Sequence, residues 1–95
     1  MEIRFYLDPD TRLPHIDQHN VTEEEVRDVL YKPLEEIRGA RNSVIALGQT
    51  RAGRCLKVIY VPDIDRDSIF VITAYDLSPR QLRALRRRLR RRNKR

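Results

Sequence analysis

Two histidines four residues apart, one lysine inside an apolar run and a few arginines beside a turn are the groups here that can move protons and meet phosphate. His15 and His19 carry imidazoles, the side chain whose intrinsic chemistry suits either accepting or giving a proton. His19 stands at the entry to the helix-like segment "NVTEEEV", a place that equally suits capping or packing. The pair can share one helix face, but no third ligand lies nearby in sequence, and no metal site is expected. Lys57 is the one charge inside "CLKVIYV". Burying an ammonium is costly, so its end must reach solvent or a partner. On an exposed sheet face it would suit a phosphate; at the rim of a core it would simply snorkel. Arg51 and Arg54 bracket the turn residues Ala52 and Gly53, where a forked guanidinium can grip phosphate or merely be solvated. Tyr75 shares a strand face with Thr73, and strand alternation can bring both to the side of Lys57. A tyrosine there can stack on a base or donate a proton. A base, an acid and cations are what RNA cleavage at a 2′-hydroxyl needs without a metal.

Other chemistries find no foothold. There is no Gly-rich phosphate loop, no serine nucleophile motif and no standout pair of carboxylates. "PDIDRD" (62–67) lacks the ordered spacing of a calcium loop and reads as a solvated turn. The single cysteine, Cys55, excludes an internal disulfide framework and an all-cysteine metal site. No cofactor is expected. The N-terminus has no basic lead or apolar stretch of a signal peptide, and no apolar run approaches a membrane span, so a cytoplasmic protein without a membrane partner is expected.

The charge is unevenly divided. Residues 1–77 hold 10 Lys and Arg against 14 Asp and Glu, whereas residues 78–95 hold 10 basic residues and no acidic one. An acidic body with a basic end suggests a polyanionic partner.

The elements that must position these groups follow from pattern and punctuation. "EIRFYL" (2–7) alternates as a half-buried strand, and "LPHIDQH" (13–19) reads as a short helix. Thr22 with Glu25 makes a capping box, Val26, Val29 and Leu30 make one apolar stripe, and Pro33 stops the helix, which predicts helix over 22–31. Three strands are expected at 43–50, 54–61 and 67–75, joined by connections short enough for an antiparallel meander. The last two are apolar on both sides, as in strands covered on both faces. Ser78, Pro79 and Gln81 then open a second helix, with Leu82, Leu85 and Leu89 as its apolar seam and Arg83, Arg86, Arg87, Arg90 and Arg91 around it as a nucleic-acid-binding surface. The expected fold is α+β: a mainly antiparallel four-stranded sheet with N-terminal helices and a basic C-terminal helix, one domain over 1–91 and a disordered tail over 92–95.

The order of elements resembles the BrnT-type toxins of bacterial toxin–antitoxin modules, within the RelE-like ribonuclease superfamily. "HNVTEEEV" (19–26) is similar to the family's His-Gly-Val-Ser/Thr helix entry. "VIALGQTRAGRCLKVIYV" (44–61) resembles its Gly-x-Thr/Ser-x-x-Gly-Arg hairpin. "FVITAYDLSPRQLRALRRR" (70–88) resembles its strand ending in Ser/Thr-Ala before a basic helix. The resemblance covers about residues 15–90. It implies RNA as substrate, metal-independent cleavage and a cognate antitoxin as protein partner, and it leaves self-association of identical chains open. The site it implies has His19, Lys57 and Tyr75 as catalytic groups, with Arg51 and Arg54 joining the helix arginines in binding RNA. Asn20 replaces the family's glycine, a mild change because asparagine tolerates the left-handed region. Tyr75 stands where many members have arginine, and the lost cation keeps a non-catalytic nucleic-acid-binding or protein-interaction module as the alternative.

Overall fold

The computed structural model describes residues 1–93. Strand β1 (Glu2–Phe5) leads through a 3-10 turn (His15–His19) to helix α1 (Glu23–Tyr31). Strands β2 (Glu35–Arg38), β3 (Val44–Gln49) and β4 (Cys55–Asp63) follow. A second 3-10 turn (Ile64–Arg66) precedes β5 (Ser68–Asp76), and helix α2 (Pro79–Asn93) comes last among the described residues. The strands form one sheet in the order β1-β5-β4-β3-β2.

The meander β3–β4–β5 is antiparallel, as its short connections predict. The sheet as a whole corrects the expectation of a mainly antiparallel four-stranded one. It has five strands and is mixed, because β1 runs parallel to β5 and β2 is added antiparallel to β3. Strand β2 reads "EEIR", with a single apolar residue. It becomes a strand because the edge of β3 offers unpaired backbone groups, not because its own pattern demands it. The alternation of Ile3 and Phe5 fits either direction of pairing. The parallel choice follows from where the chain returns after one α-helix, three strands and two 3-10 turns, which no local pattern encodes.

Helix α1 starts where the capping box places it. The Thr22 Oγ1 accepts from the Glu25 N–H at 3.1 Å, and Glu25 Oε1 accepts from the Thr22 N–H at 3.0 Å. Val26 and Val29 are fully buried and pack with Ile16 and Val21 on one sheet face, against Ala46, Leu56, Val58, Val71 and Ala74. The helix crosses closely over β3 at Gly48, where an added Cβ would lie 2.9 Å from the Val29 side chain. On the opposite face, Leu85 of α2 is buried with Leu47 and Leu77, flanked by Ile45, Cys55, Leu82 and Leu89. Helix α2 has the second capping box: the Ser78 N–H donates to Gln81 Oε1 at 2.9 Å, and the Gln81 N–H donates to Ser78 Oγ at 3.1 Å. The helix runs to Asn93, so Arg92 and Asn93, expected in the tail, are helical. Lys94 and Arg95 of that expected tail lie outside the described residues.

Covering on both faces holds only toward β3. Ile59, Val61 and Phe70 are half-buried and belong to neither cluster. The register of β4 against β5 contains one irregularity: Ile59 faces Thr73, the next residue Tyr60 faces Val71, and Ile72 is left without a partner. Such a bulge changes which residues of the bulged strand share a side. Beyond it, Phe70 joins Thr73 and Tyr75 on the half-open face, while Ile69 and Val71 enter the core.

Candidate functional site

The half-open face carries a line of rings and cations. Lys57 and Tyr75 are cross-strand partners on β4 and β5, and the Lys57 Nζ lies 5.4 Å from the Tyr75 ring centroid. The His19 ring is 5.5 Å from the Tyr75 ring. His15 lies 5.6 Å from His19, and Tyr6 lies 6.2 Å from His15. His19, Lys57 and Tyr75, the three residues singled out for catalysis, therefore stand together. Lys57 occupies the border between the covered and open halves. It lines a cavity of about 180 Å³ under α2 together with Ile45, Leu47 and Leu77. Among the described residues it has no salt-bridge partner.

What holds His19 is local geometry plus one arginine. Ile16 anchors the 3-10 turn in the core, and Asn20 ends it in the left-handed region at φ 55°. Arg54 then grips the exit. Its Nη2 donates to the His19 carbonyl at 3.2 Å and its Nη1 to the Asn20 carbonyl at 2.7 Å. The same guanidinium donates from Nε to Asp76 Oδ1 at 2.8 Å, from Nη2 to Asp76 Oδ2 at 3.0 Å and from Nη1 to Glu25 Oε1 at 3.0 Å. These bonds keep Asp76 below the usual carboxylate range. Glu25 is lowered first by the Thr22 N–H and then by Arg54, and the guanidinium itself is pushed upward, chiefly by Asp76. Arg54 is thus a clamp on the His19 turn and not a free cation for phosphate.

The other expected RNA-binding residues divide. Arg51 is 88% exposed and sits near Asp28 of α1, its Nε 3.4 Å from Oδ1, beside a groove lined by Tyr31 and Gln49 and apart from the His19 cluster. Arg83, Arg86, Arg87, Arg90 and Arg91 are exposed on α2, and among the described residues none of them carries an ion pair. Their neighbours Arg88 and Arg92 do. Arg88 donates to Glu35 through Nε (2.8 Å to Oε2) and Nη2 (2.7 Å to Oε1), and Arg92 Nη2 lies 2.6 Å from Glu35 Oε2. The Glu35 side chain is only 6% exposed, and Arg88, aided by Arg92, holds its carboxyl below the usual range.

Sequence reasoning missed Glu25, Glu35 and Asp76 as partners, and Arg4, Tyr6 and Phe70 as members of the open face. For Glu35 the signal is faint: it is an acidic residue at the start of a segment that has no other reason to be buried. Among the described residues, no group of three or more His, Cys, Asp or Glu side chains is placed to share a metal ion, and no helix is long and apolar enough to cross a membrane.

A family model described as a domain of unknown function (DUF4258) matches residues 14–76. The chain belongs to this family. The DUF4258 segment contains His19, Lys57 and Tyr75 and the whole Arg54 clamp, while β1 and α2 lie outside it. No curated protein and no solved structure matches the chain.

Proposed function

We propose that this DUF4258 protein is a toxin-like ribonuclease of a toxin–antitoxin module, acting on RNA in the cytoplasm without a metal. One observation carries the reading: an imidazole, a phenol and an ammonium stand side by side on a half-open sheet face, with rings within 5.5 Å. In this reaction His19 takes the proton of a ribose 2′-hydroxyl, whose oxygen attacks the adjacent phosphorus. Lys57 holds the charge that builds on the phosphoryl oxygens. Tyr75 gives its proton to the departing 5′-oxygen. The P–O5′ bond breaks, leaving a 2′,3′-cyclic phosphate and a free 5′-hydroxyl. The exposed arginines of α2 hold the strand, and the same surface suits an acidic antitoxin.

A second reading, a binding module without catalysis, is favoured by a different observation. Arg54 is fully engaged by carboxylates and carbonyls, which leaves Lys57 as the cation against the Tyr75 ring. Purified full-length protein incubated with mixed RNA and EDTA separates the two. The ribonuclease reading expects fragments with cyclic phosphate ends and a loss of about a hundredfold or more in His19→Ala. Intact RNA, or cleavage that survives His19→Ala and Lys57→Ala together, overturns it.

A further inference from the structure

At the far end of the open face, parallel pairing with β5 sets Arg4 of β1 opposite Phe70. The Arg4 guanidinium carbon lies 5.5 Å from the Phe70 ring centroid, and Tyr6 meets that ring edge-on at 6.4 Å. Around the pair lies a shallow cavity of about 710 Å³, whose lining includes Val61, Asp63, Ile64 and Asp65. The Arg4 Nε is buried and has no hydrogen-bond partner among the described residues. Its closest carboxylate contact, Nη2 to Asp63 Oδ2, spans 3.8 Å, beyond hydrogen-bond length. The Nε is covered by protein, but the Arg4 side chain as a whole is 38% exposed and no carboxylate lies within hydrogen-bond reach, so the guanidinium keeps unfilled donors beside the cavity.

The lining restricts what that is. Two aspartates disfavour a bare phosphate. A ring stacked under a guanidinium favours a flat π system, and carboxylates at the rim accept hydrogen bonds from N–H groups. A nucleobase meets these conditions. Among the four bases guanine offers two adjacent donors on its pairing edge, N1–H and the N2 amino group, which one carboxylate can accept as a fork. Adenine and cytosine set a single amino group beside an acceptor, and uracil has one N–H.

We propose that this cavity binds a guanine base of the RNA strand, stacked against the Arg4–Phe70 pair and read by Asp63. The inference rests on the reading that the open face takes RNA. It adds base selection to that reading. Phe70 and Tyr75 are separated by roughly 15 Å along β5, so the guanine lies a few nucleotides from the bond held at Lys57.

The test uses the full-length chain and oligonucleotides fully 2′-O-methylated to prevent cleavage. One is oligo-uridylate, and the other is the same strand carrying a single guanosine. Fluorescence anisotropy should show the guanosine strand binding about tenfold tighter. Asp63→Asn should bring that ratio to about one. Phe70→Ala should weaken binding of the guanosine strand by about fivefold to a hundredfold, with Phe70→Tyr restoring it. Asp63→Asn preserves shape on a partly exposed residue and keeps the test valid if Phe70→Ala fails to fold. Equal affinity for the two strands, or a preference that survives Asp63→Asn, overturns the subsite. Guanine preference without cleavage of mixed RNA sustains the subsite and sinks the ribonuclease reading; cleavage without preference does the reverse.

Discussion

Two arginine–carboxylate knots tie this molecule together, and they are opposites in charge. In one, Arg54 lies between two carboxylates, Glu25 and Asp76; in the other, Glu35 lies between two guanidinium groups, Arg88 and Arg92. The first carries a surplus negative charge and fixes the turn that presents His19. A phosphate would be repelled there, which is why Arg54 serves position and not binding. The second carries a surplus positive charge and fixes α2. Its excess is continuous with the exposed arginines on the same helix. The arginines of these two knots serve position, and which arginines do so depends on acidic partners far away along the chain.

The comparison can be broken most severely at Arg54. Arg54→Ala leaves Glu25 and Asp76 uncompensated and frees the His19 and Asn20 carbonyls. It should lower stability by about 3 kcal/mol in chemical denaturation. Arg54→Lys should recover only part of this, because an ammonium cannot fork onto Asp76 while also reaching two carbonyls. If Arg54→Lys equals wild type, the knot is a simple charge pair. Glu35→Ala should cost about 2 kcal/mol and raise amide exchange along α2 while leaving α1 protected.

Acid should loosen both knots. Asp76, Glu25 and Glu35 all have carboxyls lowered by their partners, from ordinary values of 3.8 for Asp and 4.5 for Glu. A group lowered in the folded state contributes stability that is fully present above its ordinary value and lost as pH falls through the lowered one. The stability gap between wild type and Glu35→Gln should therefore be fully present above the ordinary glutamate value of 4.5 and close progressively as pH falls below it, through the lowered value of the folded state. A gap that stays constant on acidification would mean that Glu35 acts through packing alone. The smallest stability effect belongs to the arginines outside the knots. Arg83→Ser, Arg86→Ser, Arg87→Ser, Arg90→Ser and Arg91→Ser should each shift stability by less than about 0.5 kcal/mol. Combined, they should flatten the salt dependence of RNA binding by about 0.7 in log–log slope for each phosphate that is no longer neutralised.

Where information was local, it was legible in the sequence. Both capping boxes, the stripe of α1, the leucine seam of α2 and the hairpin spacing of β3 to β5 are each written within a dozen or so residues. His19, Lys57 and Tyr75 could be singled out because their chemical types are scarce here and strand alternation put two of them on one side. The role of Arg54 was not legible. Its partners Glu25 and Asp76 lie 29 and 22 residues away, and nothing near position 54 distinguishes a clamp from a phosphate-binding fork. Arg88 and Arg92 look like the other arginines until α2 is laid over β2, and β2 itself is a strand only because β3 needed a neighbour.

The unpartnered Ile72 acts as a phase shifter. Odd-numbered residues of β5 face the rings on one side of it and the core on the other, so the strand holds two incompatible counting frames joined at a single position. A substitution at 72 leaves both frames in step. Deleting Ile72 would set Val71 directly before Thr73, matching the consecutive partners Tyr60 and Ile59 on β4, so Phe70 would stay with the rings and Ile69 and Val71 in the core. What the extra residue supplies is therefore a local bend and added twist of the strand, and its loss should straighten β5 without exchanging its two faces.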